Sequence, residues 1–282
     1  MLLVFISGIL WGTIGLFVNE LNALGASGSL ISFMRMAFAL VIMTAAALAK
    51  HGKGIILRDK KALLFCALIG IISNGLFNIF YTTSIRLNGM GIASVLLYTA
   101  PVFTAIASRL IFHERFSGLK VAALGLNIAG CILTVTGGDF SGSTVNVLGV
   151  LAGLGSGFGY GMAAIFAKLA GKRIDELLLS VYGFLFAAVF LLVFMRPEFS
   201  GGAKVAGVGF LYGLIPTAFA YVVYYIGLNK IRDTSRVPVI ASIEPVTAII
   251  IGTVIYGERI GAANFIGVAV VIVSIIMMMK SE

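Results

Sequence analysis

Runs of about 20 apolar residues recur ten times along this chain, separated only by short polar clusters. Coiled as a helix, a run of that length spans the hydrocarbon core of a bilayer, about 30 Å thick. The runs fall at 2–19, 28–49, 62–85, 89–112, 117–136, 146–168, 175–195, 205–228, 234–256 and 260–279. The breaks carry turn-forming or charged residues, as in "NALGASG", "KHGKGIILRDKK", "GKRIDE" and "NKIRDTS". Connections this short make neighbouring helices antiparallel and leave no room for a soluble domain. Only 11% of the residues are charged, where a soluble domain carries about 25%. The pattern predicts an all-α polytopic membrane protein with ten transmembrane helices.

The net charge of +9 invites a nucleic-acid reading. The positions of the charges favour membrane orientation instead. With the N-terminus inside, the inner loops and span ends hold 14 Lys and Arg residues, and the outer ones hold four: Arg86, Arg196, Lys204 and Arg259. Basic residues gather on the cytoplasmic side, so both termini are expected there, in the cytoplasmic (inner) membrane, with no nucleic-acid partner. Cys66 and Cys131 lie inside apolar runs and read as packing residues. No metal-binding or nucleotide-binding motif is present; "GLGSGFGYG" (153–161) follows no strand and reads as a glycine-rich helix face. No cofactor or metal is expected. The first run lacks a basic leader and a cleavage site, and is expected to span the membrane rather than act as a signal peptide.

The chain also repeats itself. "YTAPVFTAIASRLIFHERFS" (98–117) aligns without gaps on "SIEPVTAIIIGTVIYGERIG" (242–261), an offset of 144 residues. Pro101 falls on Pro245 and Glu114 on Glu258. "GILWGTIGLF" (8–17) resembles "GFGYGMAAIF" (157–166) at nearly the same offset. The expected organisation is therefore a five-helix repeat over 1–137, an outer connecting loop over 138–145 and a second repeat over 146–282. Five is odd, so the second copy enters the membrane from the other side. Inverted repeats of this kind build alternating-access transporters, with the substrate near the midplane.

"YTAPVF…E" in the fourth run and "EPV…GE" in the ninth, with the paired five-helix halves, resemble the EamA branch of the drug/metabolite transporter superfamily over essentially the full length. "FMRMAFA" (33–39) also resembles that family's second-helix pattern, although Met36 follows Arg35 here. The resemblance implies export of small metabolites such as amino acids, both termini in the cytoplasm, and a substrate site between helices 1, 3, 4, 6, 8 and 9, with helices 5 and 10 as scaffold.

Glu244 stands about ten residues into the ninth run, about 15 Å deep. A charge there costs about 3 kcal/mol on insertion scales. It reads as a proton-coupling carboxylate, as a ligand for a substrate amine, or as a hydrogen-bond partner for a kinked neighbour; its counterpart in the first half is Ala100. Pro101 and Pro245 are read as hinges or fixed bends that free the carbonyls of Leu97 and Ala241. Arg35, about 10 Å deep, is read as counter-ion to Glu244, anchor for a substrate carboxylate or structural donor. Trp11, Phe77, Asn78, Tyr81, Tyr98, Tyr160, Tyr221 and Tyr225 complete the candidate pocket, where rings at matching depths in the two halves can wall a cavity; interface-belt or packing roles explain some of them equally well. Glu114 and Glu258 are expected to cap the helix that follows each. The glycines spaced by four at 149, 153, 157 and 161 are expected to serve close helix packing.

These features point to a secondary transporter working as monomer or homodimer on a small-molecule substrate in the lipid bilayer, with proton coupling raised by Glu244. A channel needs a continuous polar lining, and an intramembrane lipid-modifying enzyme needs clustered acids or histidines near one interface. The chain offers neither, so it is read as a carrier, not an enzyme.

Overall fold

In a computed structural model, residues 1–139, 146–257 and 261–281 are described. The regular elements are all helical among them: α1 (Leu2–Gly12), α2 (Ile14–Ala23), α3 (Gly28–His51), α4 (Lys60–Leu68), α5 (Phe77–Leu97), α6 (Ala100–Phe112), α7 (Gly118–Thr136), α8 (Val147–Ala170), α9 (Glu176–Leu192), α10 (Ala203–Gly213), α11 (Ala220–Lys230), α12 (Arg236–Ala241), α13 (Ile243–Tyr256) and α14 (Ala262–Lys280). Side-chain caps set several starts. Ser27 accepts from Leu30 N–H, Ser117 from Lys120 N–H, and Asn146 from Leu148 and Gly149 N–H. Among the described residues, eight helical stretches are long and apolar enough to cross a membrane, so this is a multi-pass membrane protein; α6 and α9 are shorter apolar helices.

The structure corrects two sequence expectations. The first run, expected at 2–19, reaches Ala23 and is broken at Thr13. The helical stretch Lys60–Leu97 is broken within "RLNGMG", as expected: Gly89, at φ 80° and ψ 165°, is non-helical and divides α5 in two. A further interruption falls inside the fourth run, at Tyr98–Thr99, and its counterpart at Ser242 divides the ninth run into α12 and α13. Both lie just ahead of the prolines. Pro101 and Pro245 sit in the first turns of α6 and α13, where a missing N–H leaves no intrahelical bond unmade.

Two stretches wind as π-helix, Ile69–Leu76 between α4 and α5, and Leu214–Phe219 between α10 and α11. Side chains repair the looser winding. Pro216 cannot donate to the Tyr212 carbonyl, and the Thr217 hydroxyl donates there instead at 2.9 Å. The Asn74 amide donates to the Ile69 carbonyl at 3.2 Å.

Close approaches use small residues. α1 meets the α12–α13 break so tightly that a methyl at Gly8 would lie 2.5 Å from the Ala241 oxygen, and one at Gly12 would lie 2.8 Å from the Glu244 oxygen. α8 meets the α5–α6 break in the same way: a methyl at Gly157 would lie 2.7 Å from the Leu96 oxygen, and one at Gly161 2.5 Å from the Ala100 oxygen.

Glu114 does cap a helix, but not the one that follows it. Its oxygens accept from Thr234 N–H at 2.7 Å and Ser235 N–H at 3.1 Å, at the start of α12. The next helix, α7, begins on Ser117. Glu258 and residues 140–145 of the expected connecting loop lie outside the described residues.

Candidate functional site

Glu244 is the second residue of α13. A helix N-terminus carries partial positive charge and unbonded N–H groups, so a carboxylate there is favoured even at depth. The neighbouring Pro245 lies in the first turn of the same half-helix. Glu244 Oε2 accepts a hydrogen bond from the Tyr160 hydroxyl of α8 at 2.9 Å.

Arg35 approaches from α3 and is 8% exposed. Its Nε donates to Thr217 Oγ1 at 3.2 Å, the same hydroxyl that repairs the π-helix, and its guanidinium stands 5.6 Å from the Tyr212 ring centroid. Arg35 and Glu244 thus bond to different partners, yet both face one cavity of about 70 Å³. That volume holds a few water molecules.

Aromatic side chains wall the cavity: Trp11, Phe77, Tyr160, Tyr221, Tyr224 and Tyr225. Trp11 is the hub, with ring centroids 6.4 Å from Tyr160, 5.3 Å from Tyr221 and 5.0 Å from Tyr224. The Tyr221 hydroxyl donates to Asn74 Oδ1 at 2.9 Å. Two buried polar atoms of the lining find no protein partner: Trp11 Nε1 and Ser73 Oγ. Burying a donor without a partner costs about 1–3 kcal/mol, so these two atoms suit a polar guest or ordered water.

Of the residues singled out from sequence, Trp11, Arg35, Phe77, Tyr160, Tyr221, Tyr225 and Glu244 lie together on the cavity. Three are placed elsewhere. Asn78 accepts from Ser32 Oγ at 3.4 Å and donates to the Asn74 carbonyl at 2.6 Å. Tyr81 stacks on Phe77, centroids 6.0 Å apart, with its hydroxyl 3.3 Å from Ser94 Oγ. Tyr98 packs near Cys131, Ile243 and Val246. Sequence reasoning left out Ile14, Ser73, Ala163, Pro238 and Ala241. Ser73 had a legible signal, one helical turn before Phe77. The described residues contain no group of three or more His, Cys, Asp or Glu placed to hold a metal.

A second polar cluster lies away from the cavity. Asp233, between α11 and α12, pairs with Lys120 of α7 and, at 3.1 Å, with Arg236; its Oδ1 accepts from Ser235 Oγ at 2.5 Å. Lys120 Nζ also donates to the Arg115 carbonyl at 2.8 Å. Burial raises the affinity of Asp233 for a proton, but hydrogen bonds with Glu114, Lys120 and Ser235 outweigh it and hold the carboxyl below its ordinary range. Burial and the adjoining Asp233 push Glu114 the other way, upward.

Comparison with known proteins places this geometry. An uncharacterized transporter of Archaeoglobus fulgidus is 25% identical over 97% of this chain and 94% of its own length. The uncharacterized inner membrane transporter YedA of Escherichia coli is 25% identical over 95% of this chain and 87% of its own. A crystal structure 19% identical in sequence has the same fold, with a TM-score of 0.81 over 99% of this chain and 97% of the other. The profile of the EamA-like transporter family matches residues 1–136 and again residues 147–280, and the chain belongs to that family.

Proposed function

We propose that the protein is a secondary carrier exporting small organic metabolites, amino acids among them, by alternating access, and that the aromatic cavity between Arg35 and Glu244 is its substrate site. The observation that carries this reading is the pair of buried atoms without a protein partner, Trp11 Nε1 and Ser73 Oγ, on a cavity shared with Arg35 and Glu244. Polar groups at that depth are costly unless something else engages them.

The carrier is read as ten spans in two inverted repeats, 1–137 and 146–282, joined by 138–145, with both termini in the cytoplasm. Several facts support the repeat. The family profile matches twice. The π-helical stretches at 69–76 and 214–219 lie about 144 residues apart, as do the breaks at Tyr98 and Ser242. α7 and α14 match at both ends at that offset. The 38-residue stretch Lys60–Leu97 is nearly twice what one crossing needs, and it breaks at Gly89. Trp11, Arg35, Phe77, Tyr160, Tyr221, Tyr225 and Glu244 bind substrate, Asn78, Tyr81 and Tyr98 line its path, and Pro101 and Pro245 mark the joints. Glu244 carries the coupled proton.

The test is counterflow in proteoliposomes loaded with a mixed pool of amino acids and small metabolites, scored by mass spectrometry. Exchange of one solute class is expected. A channel gives no counterflow, and exchange of nothing by folded protein removes the carrier reading. Glu244→Gln is expected to keep exchange but flatten its pH dependence; a Gln variant with the wild-type pH profile ends the coupling idea. Trp11→Phe keeps a ring and deletes the donor. Loss of about 1 kcal/mol of hydrogen bonding predicts an apparent KM about fivefold higher with little change in maximal rate.

A further inference from the structure

The two helix breaks correspond in sequence but are held by different means. Ser242, at the α12–α13 break, is 6% exposed, and its hydroxyl donates to the Val239 carbonyl at 2.6 Å. That hydroxyl also accepts from Asn127 Nδ2 of α7 at 2.5 Å. The same amide nitrogen reaches Ser274 Oγ of α14 at 3.0 Å. Asn127 is 1% exposed and Ser274 is fully buried. One amide therefore ties both scaffold helices to the break, two residues before Glu244.

The 144-residue offset gives the counterpart of each member. Tyr98 stands for Ser242, Val271 for Asn127 and Gly130 for Ser274. Gly130 and Val271 also touch: a methyl at Gly130 would lie 2.8 Å from the Val271 backbone nitrogen. The crossing of α7 and α14 is thus polar on one side and apolar on the other. Tyr98 packs against the apolar side, in the cluster that contains Val271. Thr99 bonds only within its own turn, to the Leu96 carbonyl at 2.5 Å. Among the described residues, no α7 or α14 side chain hydrogen-bonds to residue 98 or 99.

An apolar contact leaves a break free to slide or rewind, because dispersion has no preferred direction. A directional bond between buried groups in a bilayer fixes one geometry, since the alternative leaves polar atoms unmet. Building on the carrier reading above, we propose that Asn127 and Ser274 are positioning residues: by holding Ser242 they fix the break in the second half and the place of Glu244, and they leave the matching break at Tyr98–Thr99 as the joint that moves.

The groups within electrostatic reach of Glu244 are Arg35, Tyr81, Tyr98, Cys131, Tyr160 and Tyr221. The chain has one tryptophan, and Trp11 shares the cavity with Glu244. Its emission therefore reports on that carboxyl without any substrate. The experiment uses full-length protein in nanodiscs of phosphatidylethanolamine and phosphatidylglycerol, with two readouts. In hydrogen–deuterium exchange the wild-type segment 96–103 should exchange about tenfold faster than 240–247. Ser274→Ala should speed 240–247 about threefold, the size of an average interhelical hydrogen bond in a membrane, and leave 96–103 unchanged. Asn127→Val should speed it further; where Asn127→Val fails to fold, Ser274→Ala decides. In the second readout, the pH midpoint of Trp11 emission should move by about half a unit in Ser274→Ala.

Equal exchange at the two breaks in wild type overturns the proposal, as does unchanged exchange at 240–247 in Ser274→Ala. Faster exchange with an unmoved emission midpoint leaves the clamp a packing device and overturns its positioning role. If Glu244→Gln shows the wild-type emission titration, the coupling role of Glu244 fails, while the exchange comparison still decides the clamp.

Discussion

Asp233→Asn is expected to cost about 3–5 kcal/mol of stability, because it leaves the buried Lys120 ammonium without its counter-charge. The Lys120 side chain is 5% exposed and that of Asp233 13%, so water cannot replace the lost partner. In a thermal melt of the detergent-solubilised protein, this loss lowers the midpoint by on the order of 10 °C. The double variant Lys120→Met/Asp233→Leu should recover most of it, since an apolar pair of similar size removes both desolvation costs. A double variant as unstable as the single one would mean that the backbone bonds of the cluster, not the ion pair, hold this corner. The two acids of the cluster respond to pH in opposite senses. Asp233 is held below its unfolded value, so its contribution is complete above about pH 3.9 and is lost as pH falls through the folded value. Glu114 is raised, so its contribution is complete below about pH 4.3 and is lost as pH rises through its folded value.

The second large effect is expected at Gly161. A methyl there would stand 2.5 Å from the Ala100 carbonyl oxygen, 3.1 Å from Thr104 Oγ1 and 3.2 Å from Phe103 Cβ. A backbone oxygen cannot rotate away, and the Thr104 hydroxyl already donates to the Gly161 carbonyl at 2.7 Å. Gly161→Ala therefore forces α8 from α6 and should cost about 1–3 kcal/mol, with Gly161→Leu costing more. Gly15→Ala is the control. Nothing lies within 4 Å of a methyl at that position in α2, and the change should stabilise by up to about 1 kcal/mol through helix propensity. Equal melting points for Gly161→Ala and Gly15→Ala would show that the close contact does not limit stability.

Much of the fold was legible because a bilayer leaves few solutions. The run expected at 117–136 is α7 at Gly118–Thr136, and the run at 146–168 is α8 at Val147–Ala170. Proline positions marked the broken helices to within three residues. The π-helical stretches were not legible: they rest on the missing N–H of Pro216 and on the Thr217 and Asn74 side chains reaching back five residues, and hydropathy carries no trace of that. Part of the pocket was misplaced because depth in the bilayer does not say which neighbour a side chain meets. Phe77 stays on the cavity, while Asn78 and Tyr81 fall on other neighbours. Of the aromatic positions matched between the halves, Trp11 and Tyr160 share the cavity, as do Phe77 and Tyr221, whereas Tyr225 lines it without its counterpart Tyr81. The capping role of Glu114 was legible, but its target was not, because the helix it caps lies 120 residues away in sequence.

The exchanged contacts have a consequence for synthesis. α1 covers the break in front of α13, and α8 covers the break in front of α6. Each broken helix is thus sheltered by the opening helix of the other half. Until the residues around Gly161 are made, the carbonyls of Leu96 and Ala100 have no glycine face against them. Neither half made alone has its own cover, so expressing 1–137 without 146–282 should give a chain that inserts but is cleared by membrane proteolysis, and co-expressing the two should restore both.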